Sequence, residues 1–549
     1  MKIRQTTGAA AQWAIVAALA CLLPFASSGC GGGDEGEKPK APNLLFVVID
    51  TLRADQLALY GGPTSTPSIE ALARRGVVFE QAYCHIPMTG PSHSTMFTSL
   101  LPSDHNVHNN SQVLRDRYET LAEILSDTHH TAAFISLAAM KSKYGYLQGF
   151  DEIHEDFPRY WWKSAGEVNE ELLPWLEEGP EEPFFLLAHY SDPHGPYTPP
   201  DWYQPVQIAL NGVPLDPILF DGRNQRVKLP LREGENEIAF TSHGPHRIHL
   251  SRWKVPGGVS WKYGDGWEYD LDGKGRRKSR GPRGARLIIP GRTARLEISS
   301  PGRARTVELK VKSHFMLDAE GNRQGYAAET AYADAEIGRL FALMEKKGLS
   351  DNTIVVLTGD HGEELGERDG FMRHGDRLYE NTVHVPLIIA TPDGRGAGER
   401  VPLPVGHVDL LPTLAGLMGF AAPKGARGAD LFPLDGIGKR PIVMESYRKQ
   451  AKHDREAVRL GEYKLIRTHL ARGAIDEEMY DIGRDPSERR DLLDRPGEKP
   501  DAGAGDEVRS GLSGLLDSLR KGDPGAEGPV RAELTEEDEE ALRALGYVL

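Results

Sequence analysis

Residues 42–50 read PNLLFVVID and residues 353–361 read TIVVLTGDH, and these two stretches are the clearest indication of the fold class. Each is an apolar, β-branched run without polar alternation, which is typical of a strand buried on both faces of a parallel sheet. The first run ends at Asp50 and the second at Asp360 followed by His361. Ligands of open α/β sheets bind outside the carboxyl ends of the strands, so we expect these side chains to converge there. Two carboxylates and an imidazole indicate a divalent-metal site, although an aspartate after a strand can also simply begin a turn.

A third stretch, PMTGPSHSTMFTSLLPSDH at residues 87–105, adds a hydroxyl to this picture. Thr89, Gly90 and Pro91 predict a tight turn before a helix that runs from about residue 92 to residue 100. Thr89 would then precede a helix N-terminus, where free N–H groups and the helix dipole favour an anion. A hydroxyl beside a metal is a plausible nucleophile for an oxyanion ester, and a plain helix cap is the alternative.

Seven blocks of the sequence, in order, resemble the sulfatases of the alkaline-phosphatase superfamily. They are VVIDTLRAD at 47–55, TGPSH at 89–93, HYSDPHGPYTPP at 189–200, TGDHGEELGE at 358–367, RHGDRLYENTVHVPLII at 373–389, GHVDLLPTL at 406–414 and MYDIGRDPSERRDLL at 479–493. The resemblance implies an α/β, alkaline-phosphatase-like sandwich with a large, mostly parallel central sheet and a small C-terminal antiparallel sheet.

The resemblance also implies a role for each site residue. Asp50, Asp360 and His361 match metal ligands, and Thr89 matches the nucleophile, whose oxygen also touches the metal. His194 and His374 match residues that contact the ester group and assist leaving-group departure. His93 stands where the family usually has an arginine that supports the nucleophile, and Lys141 or Lys143 is a weaker candidate for a further cation. One divalent ion is expected, calcium by resemblance, with zinc, magnesium and manganese also compatible with these ligands.

Two departures from the family pattern bear on the chemistry. The usual nucleophile is a cysteine or serine oxidised to formylglycine, whereas this chain has Thr89, which would have to attack directly as in phosphatase relatives. Thr51 replaces a second aspartate ligand found in many sulfatases. Phosphodiester-cleaving relatives hold two zinc ions, and the nearest candidates for their second site, His189, Asp192, His194 and His374, match its spacing imperfectly, so a single metal fits better.

The first forty residues predict export. Residues 1–29 combine Lys2 and Arg4 with an apolar stretch and read as a signal peptide. The small residues before Cys30 resemble a lipoprotein cleavage box, so Cys30 would be lipidated and residues 30–41 would form a tether. The protein would then be a membrane-anchored lipoprotein that faces the periplasm or cell surface and contacts the membrane only through its lipid, with ordinary secretion as the alternative.

The rest of the chain divides by composition. We expect a catalytic domain in two parts (42–203 and 315–435), an inserted β-sandwich-like domain (204–314), a C-terminal antiparallel subdomain (436–495), a disordered linker (496–531) and a terminal helix (532–549). The insert carries 21 Lys and Arg against 11 Asp and Glu, a net charge of +10 in a chain of net charge −15. This basic insert suggests contact with a polyanion such as a sulfated glycan, or else only a solvated loop on a structural insert. Nucleic acid is not expected for an exported protein.

Three function classes follow from these observations. The first is a metal-dependent sulfatase that hydrolyses sulfate esters of an extracytoplasmic substrate such as a sulfated glycan, and the number of matching blocks favours it. The second is a phosphomonoesterase or phosphodiesterase with a threonine nucleophile, which Thr89 favours. The third is a non-catalytic, glycan-binding sulfatase homologue, which the missing formylglycine motif and the basic insert favour.

Overall fold

The computed structural model of the protein describes residues 41–157, 161–197, 199, 206–218, 225–242, 246–254, 259–266, 268–269, 286–288, 292–302, 305–315, 319–448, 453–493, 504–519, 529–536, 538, 539 and 542. The predicted signal peptide, Cys30 and nearly all of the tether lie outside the described residues. Among the described residues, no helix combines the length and the apolar character that crossing a bilayer requires.

The elements follow one another along the chain as mixed strands and helices, then an all-β stretch, and then mixed elements again. The strands are β1 Asn43–Ile49, β2 Val77–Tyr83, β3 Gln112–Val113, β4 His130–Phe134, β5 Glu152–His154, β6 Phe184–Tyr190, β7 Val206–Leu210, β8 Val213–Ile218, β9 Gln225–Leu231, β10 Gly234–Ser242, β11 His246–Lys254, β12 Ser260–Tyr263, β13 Glu268–Tyr269, β14 Arg286–Ile288, β15 Arg292–Ser300, β16 Arg305–Phe315, β17 Thr353–Gly359, β18 His384–Ala390, β19 Arg400–Gly406, β20 Ile442–Arg448, β21 His453–Leu460, β22 Tyr463–His469, β23 Ile475–Asp481 and β24 Val530–Arg531. The helices are α1 Pro67–Arg75, α2 Thr89–Thr98, α3 Pro102–His105, α4 Leu121–Ser126, α5 Ala165–Glu178, α6 Ala319–Lys346, α7 Glu380–Val383, α8 Leu410–Met418 and α9 Ala504–Leu519.

The central sheet has eight strands in the order β19-β2-β18-β17-β1-β6-β4-β5. Strand β1 lies in its middle and pairs in parallel with both β17 and β6. Only β18 runs antiparallel to its neighbours. The predicted fold class, a large, mostly parallel sheet with smaller antiparallel sheets, is confirmed.

Two hydrophobic cores explain why β1 lacks polar alternation. Its residues Leu44, Phe46 and Val48 point into one core, which α2, α4 and α8 complete on one face of the sheet. The alternate residues Leu45, Val47 and Ile49 point into the other core, together with α1, α5 and α6. A strand with helices on both faces needs apolar side chains at every position.

The all-β stretch forms two five-stranded antiparallel sheets, ordered β12-β15-β10-β7-β8 and β13-β14-β11-β16-β9. Alternate residues of both sheets meet in a core of their own, for example Ile238, Leu296 and Leu309. The basic run at 274–285 lies outside the described residues. Among the described basic side chains of the insert, three pair with glutamates on its surface, as Arg226 with Glu308, Lys262 with Glu297 and Arg295 with Glu237.

The C-terminal region contains a four-stranded sheet, β20-β21-β22-β23, and one correction to the sequence analysis. The stretch 496–531, expected to be a disordered linker, forms α9 over Ala504–Leu519. Leu512 and Leu516 are buried against Val458 and Leu465 of that sheet. The high content of Gly, Pro and acidic residues hid apolar residues at helical spacing, and burial of that stripe stabilises the helix.

The last described residues of the chain pack against the main domain. Strand β24 pairs with β3, and Leu542 is buried in the core that also contains α2. Most of the predicted terminal helix at 532–549 lies outside the described residues, although positions 538, 539 and 542 are helical.

Candidate active site

The parallel register of the sheet places the two aspartates side by side. Ile49 of β1 pairs with Gly359 of β17, so Asp50 and Asp360 leave neighbouring strands at the same level. A Cβ on Gly359 would lie 2.5 Å from the Leu52 carbonyl oxygen, so only glycine lets the chain after β1 pass this closely over the end of β17. Both aspartates are fully buried.

Thr89 adds a hydroxyl group to this pair of carboxylates. It is the first residue of α2, one turn earlier than the helix start expected from the sequence, and it is fully buried. Its hydroxyl donates a hydrogen bond to Oδ2 of Asp50 over 3.2 Å. Ser92, one turn further along α2, donates to the carbonyl oxygen of Asp360 over 2.6 Å and fixes the helix to the end of β17.

Asp50, Asp360 and His361 form a group of donors that fits a divalent cation. One donor atom of each lies within 4.8 Å of the other two. His361 Nδ1–H donates to the Gly362 carbonyl oxygen over 2.9 Å, which leaves Nε2 as the nitrogen with a lone pair. Among the described residues, Asp50 Oδ1, Asp360 Oδ2 and His361 Nε2 are buried and have no hydrogen-bond partner. Buried acceptors without a partner cost free energy, and a bound cation would offset that cost.

The electrostatics of the two carboxylates lead to the same conclusion. Burial, followed by the charge of Asp360, raises the pKa of Asp50 well above its usual value. Burial likewise raises the pKa of Asp360 to about 8, although the backbone N–H groups of Thr51 and His361 stabilise its charge. A divalent cation offsets this cost, because it neutralises both carboxylates at once.

Thr51, which stands where the resemblance places a second aspartate ligand, bonds to the backbone and to Asp360. The Thr51 hydroxyl donates to the carbonyl oxygens of Asp50, at 2.7 Å, and Pro193, at 3.1 Å. Its backbone N–H donates to Asp360 Oδ1 over 3.0 Å, and its φ of 58° places it in the left-handed region. Thr51 therefore orients Asp360 and does not add an anionic donor.

His93 lies one turn above Thr89 on α2, and its ring contacts the carbonyl oxygen of Thr89 through Nδ1 at 2.8 Å. The same nitrogen is 3.9 Å from Asp360 Oδ2. His93, His189 and Asp360 form a second group whose donor atoms lie within 4.8 Å of one another. Burial lowers the pKa of His93 to about 4, so its imidazole is neutral at neutral pH.

His194 and His374 lie together at the entrance to the site. Their rings are 5.1 Å apart, and the ring of His374 is 4.5 Å from that of His361. Each is 7% exposed, whereas Thr89, Asp50 and the other donors are fully buried. Solvent therefore reaches the described part of the site beside these two imidazoles.

Three sequence candidates lie elsewhere. Lys143 pairs with Asp538 from the end of the chain. The ammonium group of Lys141 packs on the ring of Phe157. Asp192 accepts the backbone N–H of Ala165 over 2.7 Å and so caps the first turn of α5, which the sequence did not indicate.

Two site residues were missed by the sequence analysis. Glu363 Oε1 accepts a hydrogen bond from His374 Nδ1 over 3.1 Å, and both side chains are buried. Burial alone would raise the pKa of Glu363, but His374 leads the contacts that lower it overall. Asn110 Oδ1 accepts the N–H of Gly90, next to Thr89, over 2.7 Å. The acidic pair after DHG was a usable signal for Glu363, whereas nothing near Asn110 marked it.

Fold and site together define the class of the protein, an α/β protein with the alkaline-phosphatase-like architecture. A family model described as Sulfatase matches residues 42–420, well over half of the chain, so the protein belongs to the sulfatase family. The expected resemblance is thereby confirmed, and with it the assignment to the sulfuric ester hydrolases. Members of the sulfatase family generally bind a divalent metal, and the donor groups around Asp360 are the candidate ligands in this chain.

Similar proteins come from both sequence and structure comparison. The N-acetylglucosamine-6-O-sulfatase of Bacteroides thetaiotaomicron is 25% identical over 523 residues, covering 86% of each chain. A solved complex of a protein with its substrate D-glucosamine-2-N,6-O-disulfate has a TM-score of 0.59 at 18% identity and covers 88% of this chain and 98% of that one. The phosphonate monoester hydrolase of Agrobacterium radiobacter has a TM-score of 0.56 at 19% identity, over 90% of this chain and 100% of that one. These structural likenesses show the shared fold.

Proposed function

We propose that the protein is a metal-dependent hydrolase of sulfate esters that uses the unmodified hydroxyl of Thr89 as its nucleophile. The observation that carries this proposal is the buried contact of 3.2 Å between Thr89 Oγ1 and Asp50 Oδ2 beside the carboxylate–imidazole group. A divalent cation bound by Asp50, Asp360 and His361 would neutralise the carboxylates and polarise the ester. Their mixed oxygen and nitrogen donors suit zinc or manganese better than calcium, which prefers oxygen ligands.

The residues of the chain can carry the reaction in two displacements. The Thr89 oxygen forms a bond to the sulfur of the ester while the bond from sulfur to the leaving oxygen breaks, and Asp50 Oδ2 takes the hydroxyl proton. His374 or His194 gives a proton to the leaving oxygen. The N-terminus of α2 stabilises the negative oxygens around the sulfur. A water oxygen then bonds to the sulfur while the bond from sulfur to the Thr89 oxygen breaks, which releases the anion. Asp50 returns its proton to the threonine, and the proton lost by the water restores the histidine.

Sulfated glycans are the substrates that we propose. The similar proteins named for N-acetylglucosamine-6-O-sulfatase activity and for a complex with D-glucosamine-2-N,6-O-disulfate support this choice. The excess of basic residues in the insert would attract such a polyanion. Export as a Cys30-anchored lipoprotein would place the enzyme where such glycans occur.

A phosphate or phosphonate ester is the second candidate substrate, and Thr89 favours it. A threonine ester of sulfate lacks the elimination route that a formylglycine hydrate provides, whereas attack by a simple alcohol suffices for phosphoryl transfer. The similarity in fold to a phosphonate monoester hydrolase adds weight to this alternative.

Parallel assays decide between the two. The purified protein, loaded with zinc or with manganese, is tested on an aryl sulfate, an aryl phosphate, a bis-aryl phosphate and an aryl phosphonate. The highest kcat/KM for the aryl sulfate would support the sulfatase proposal. The highest kcat/KM for one of the phosphorus esters would contradict it and support the second candidate. No turnover of any ester, including D-glucosamine-2-N,6-O-disulfate, by a folded and metal-loaded protein would contradict both and favour a glycan-binding homologue.

A further inference from the structure

A second set of buried metal-binding side chains lies directly beside the first. His93 of α2, His189 of β6 and Asp360 each bring a donor atom to within 4.8 Å of the other two. This second donor group shares Asp360, and no other residue, with the group of Asp50, Asp360 and His361. Two imidazoles and a carboxylate are the ligand types that zinc and related transition metals prefer.

Both additional imidazoles are held as metal ligands usually are. His93 Nδ1 contacts the Thr89 carbonyl oxygen at 2.8 Å, and His189 Nδ1 contacts the Ser136 hydroxyl at 2.7 Å. A hydrogen bond on one ring nitrogen fixes the orientation of the other, as is common among metal-binding histidines. Nε2 of both residues is fully buried and has no hydrogen-bond partner in the described part of the chain. Such nitrogens are costly to bury unless they bind something.

Each of the two carboxylates lies near two imidazoles. Asp50 Oδ1 is 3.9 Å from His361 Nε2, while its Oδ2 is 3.8 Å from His189 Nε2. Asp360 Oδ2 is 3.5 Å from His361 Nε2 and 3.9 Å from His93 Nδ1. Zinc usually bonds about four ligands over about 2.0 to 2.3 Å, so a single ion would leave part of this set of carboxylates and imidazoles unused.

We propose that the pocket binds two divalent cations and that His93, His189 and Asp360 hold the second one. The sequence had suggested a different set for a second ion, but its Asp192 caps α5. Paired ions stabilise the attacking and leaving oxygens of an in-line displacement together. This inference depends on the proposed function at one point, because both assign Asp360 as a metal ligand.

Metal stoichiometry tests the proposal without reference to turnover. The full-length protein is stripped with a chelator, reloaded with zinc, freed of excess ion and examined by native mass spectrometry and elemental analysis. We expect close to two zinc ions per wild-type chain and close to one in His93→Ala and in His189→Ala. His129→Ala is the matched control, since Nε2 of that buried histidine bonds the Pro42 carbonyl oxygen away from the site, and it should keep both ions. Asp360→Asn should lose affinity for both ions.

The number of zinc ions per wild-type chain tests the proposal even if a variant does not fold. A folded wild-type chain that saturates at one ion would overturn the proposal, as would His189→Ala that retains two. Activity is recorded separately, so the two proposals can fail independently. An inactive protein with two ions contradicts the proposed function alone, and an active protein with one ion contradicts only the second site.

Discussion

Ile49 and Gly359 pair in parallel register, and this pairing brings the carboxylates of Asp50 and Asp360 together although 310 positions separate the two aspartates in the sequence. Neighbouring parallel strands are about 4.8 Å apart, so residues that follow a registered pair emerge within reach of one cation. The α2 helix then adds Thr89 to the same pocket.

Thr89→Ala should lower kcat by on the order of 10³-fold or more, because it removes the proposed nucleophile. Thr89→Ser keeps a hydroxyl and should retain measurable turnover. Thr95→Ala is the control within the same helix, since its hydroxyl contacts His105 and not the site, and it should remain active. The measurement is steady-state kinetics on the best aryl ester, with circular dichroism to verify folding. Full activity of Thr89→Ala would exclude this residue as the nucleophile.

Metal removal should destabilise the protein more as the pH rises. The pKa of Asp360 is raised from 3.8 to about 8 by burial, so without a cation the stability that its protonation provides is lost as the pH rises through this range. A bound divalent ion removes that dependence. We expect the difference in Tm between metal-loaded and chelator-treated protein to grow from pH 5 to pH 8 in differential scanning fluorimetry. A difference that stays constant or shrinks over this range would contradict the role of the carboxylates.

Glu363→Gln should impair the reaction through His374. A neutral amide accepts the His374 Nδ1–H more weakly than the carboxylate does and orients this ring less firmly, so we expect a decrease in kcat of about 10- to 100-fold. The loss should be larger for esters with poor leaving groups, which need protonation most. The double variant Glu363→Gln/His374→Ala should be no slower than His374→Ala alone. Additive losses would show that Glu363 acts independently.

Lys464→Met should destabilise the fold without touching the site. Its buried ammonium group lies 2.9 Å from both Glu380 and Glu488, and it links the C-terminal sheet to the main domain. Removal of the cation leaves two carboxylates buried without their partner, which costs about 3–5 kcal/mol. Chemical denaturation measures this change, and the exposed Lys347→Met serves as the control. A loss under about 1 kcal/mol would show that the cluster is well hydrated.

Cys30→Ala tests the proposed lipid anchor. If Cys30 is the lipidated residue, the wild-type protein should partition into the membrane fraction of the producing bacterium, and the variant should not. The readout is immunoblotting of membrane and soluble fractions, with Cys84→Ala as the matched control because that thiol is buried in the folded domain. Equal partitioning of Cys30→Ala and wild-type protein would favour ordinary secretion.

The sequence by itself predicted the class of fold, which is confirmed, and it named most of the residues that the fold brings together in the candidate site. The apolar runs of β1 and β17 predict buried parallel strands, since each of their residues must enter one of two cores. The acidic residues after those strands and the threonine at the start of α2 indicated where the candidate site lies, because strand ends and helix N-termini have fixed positions in such a fold.

The tertiary structure decided what depends on contacts between distant parts of the chain. The sequence could not show that His93 and His189 share Asp360, that Asp192 caps a helix, or that Glu363 orients His374. Nor could composition show that α9 is ordered, since only the C-terminal sheet buries Leu512 and Leu516. Local patterns fix which element forms, whereas the partner of a polar side chain depends on which elements pack together.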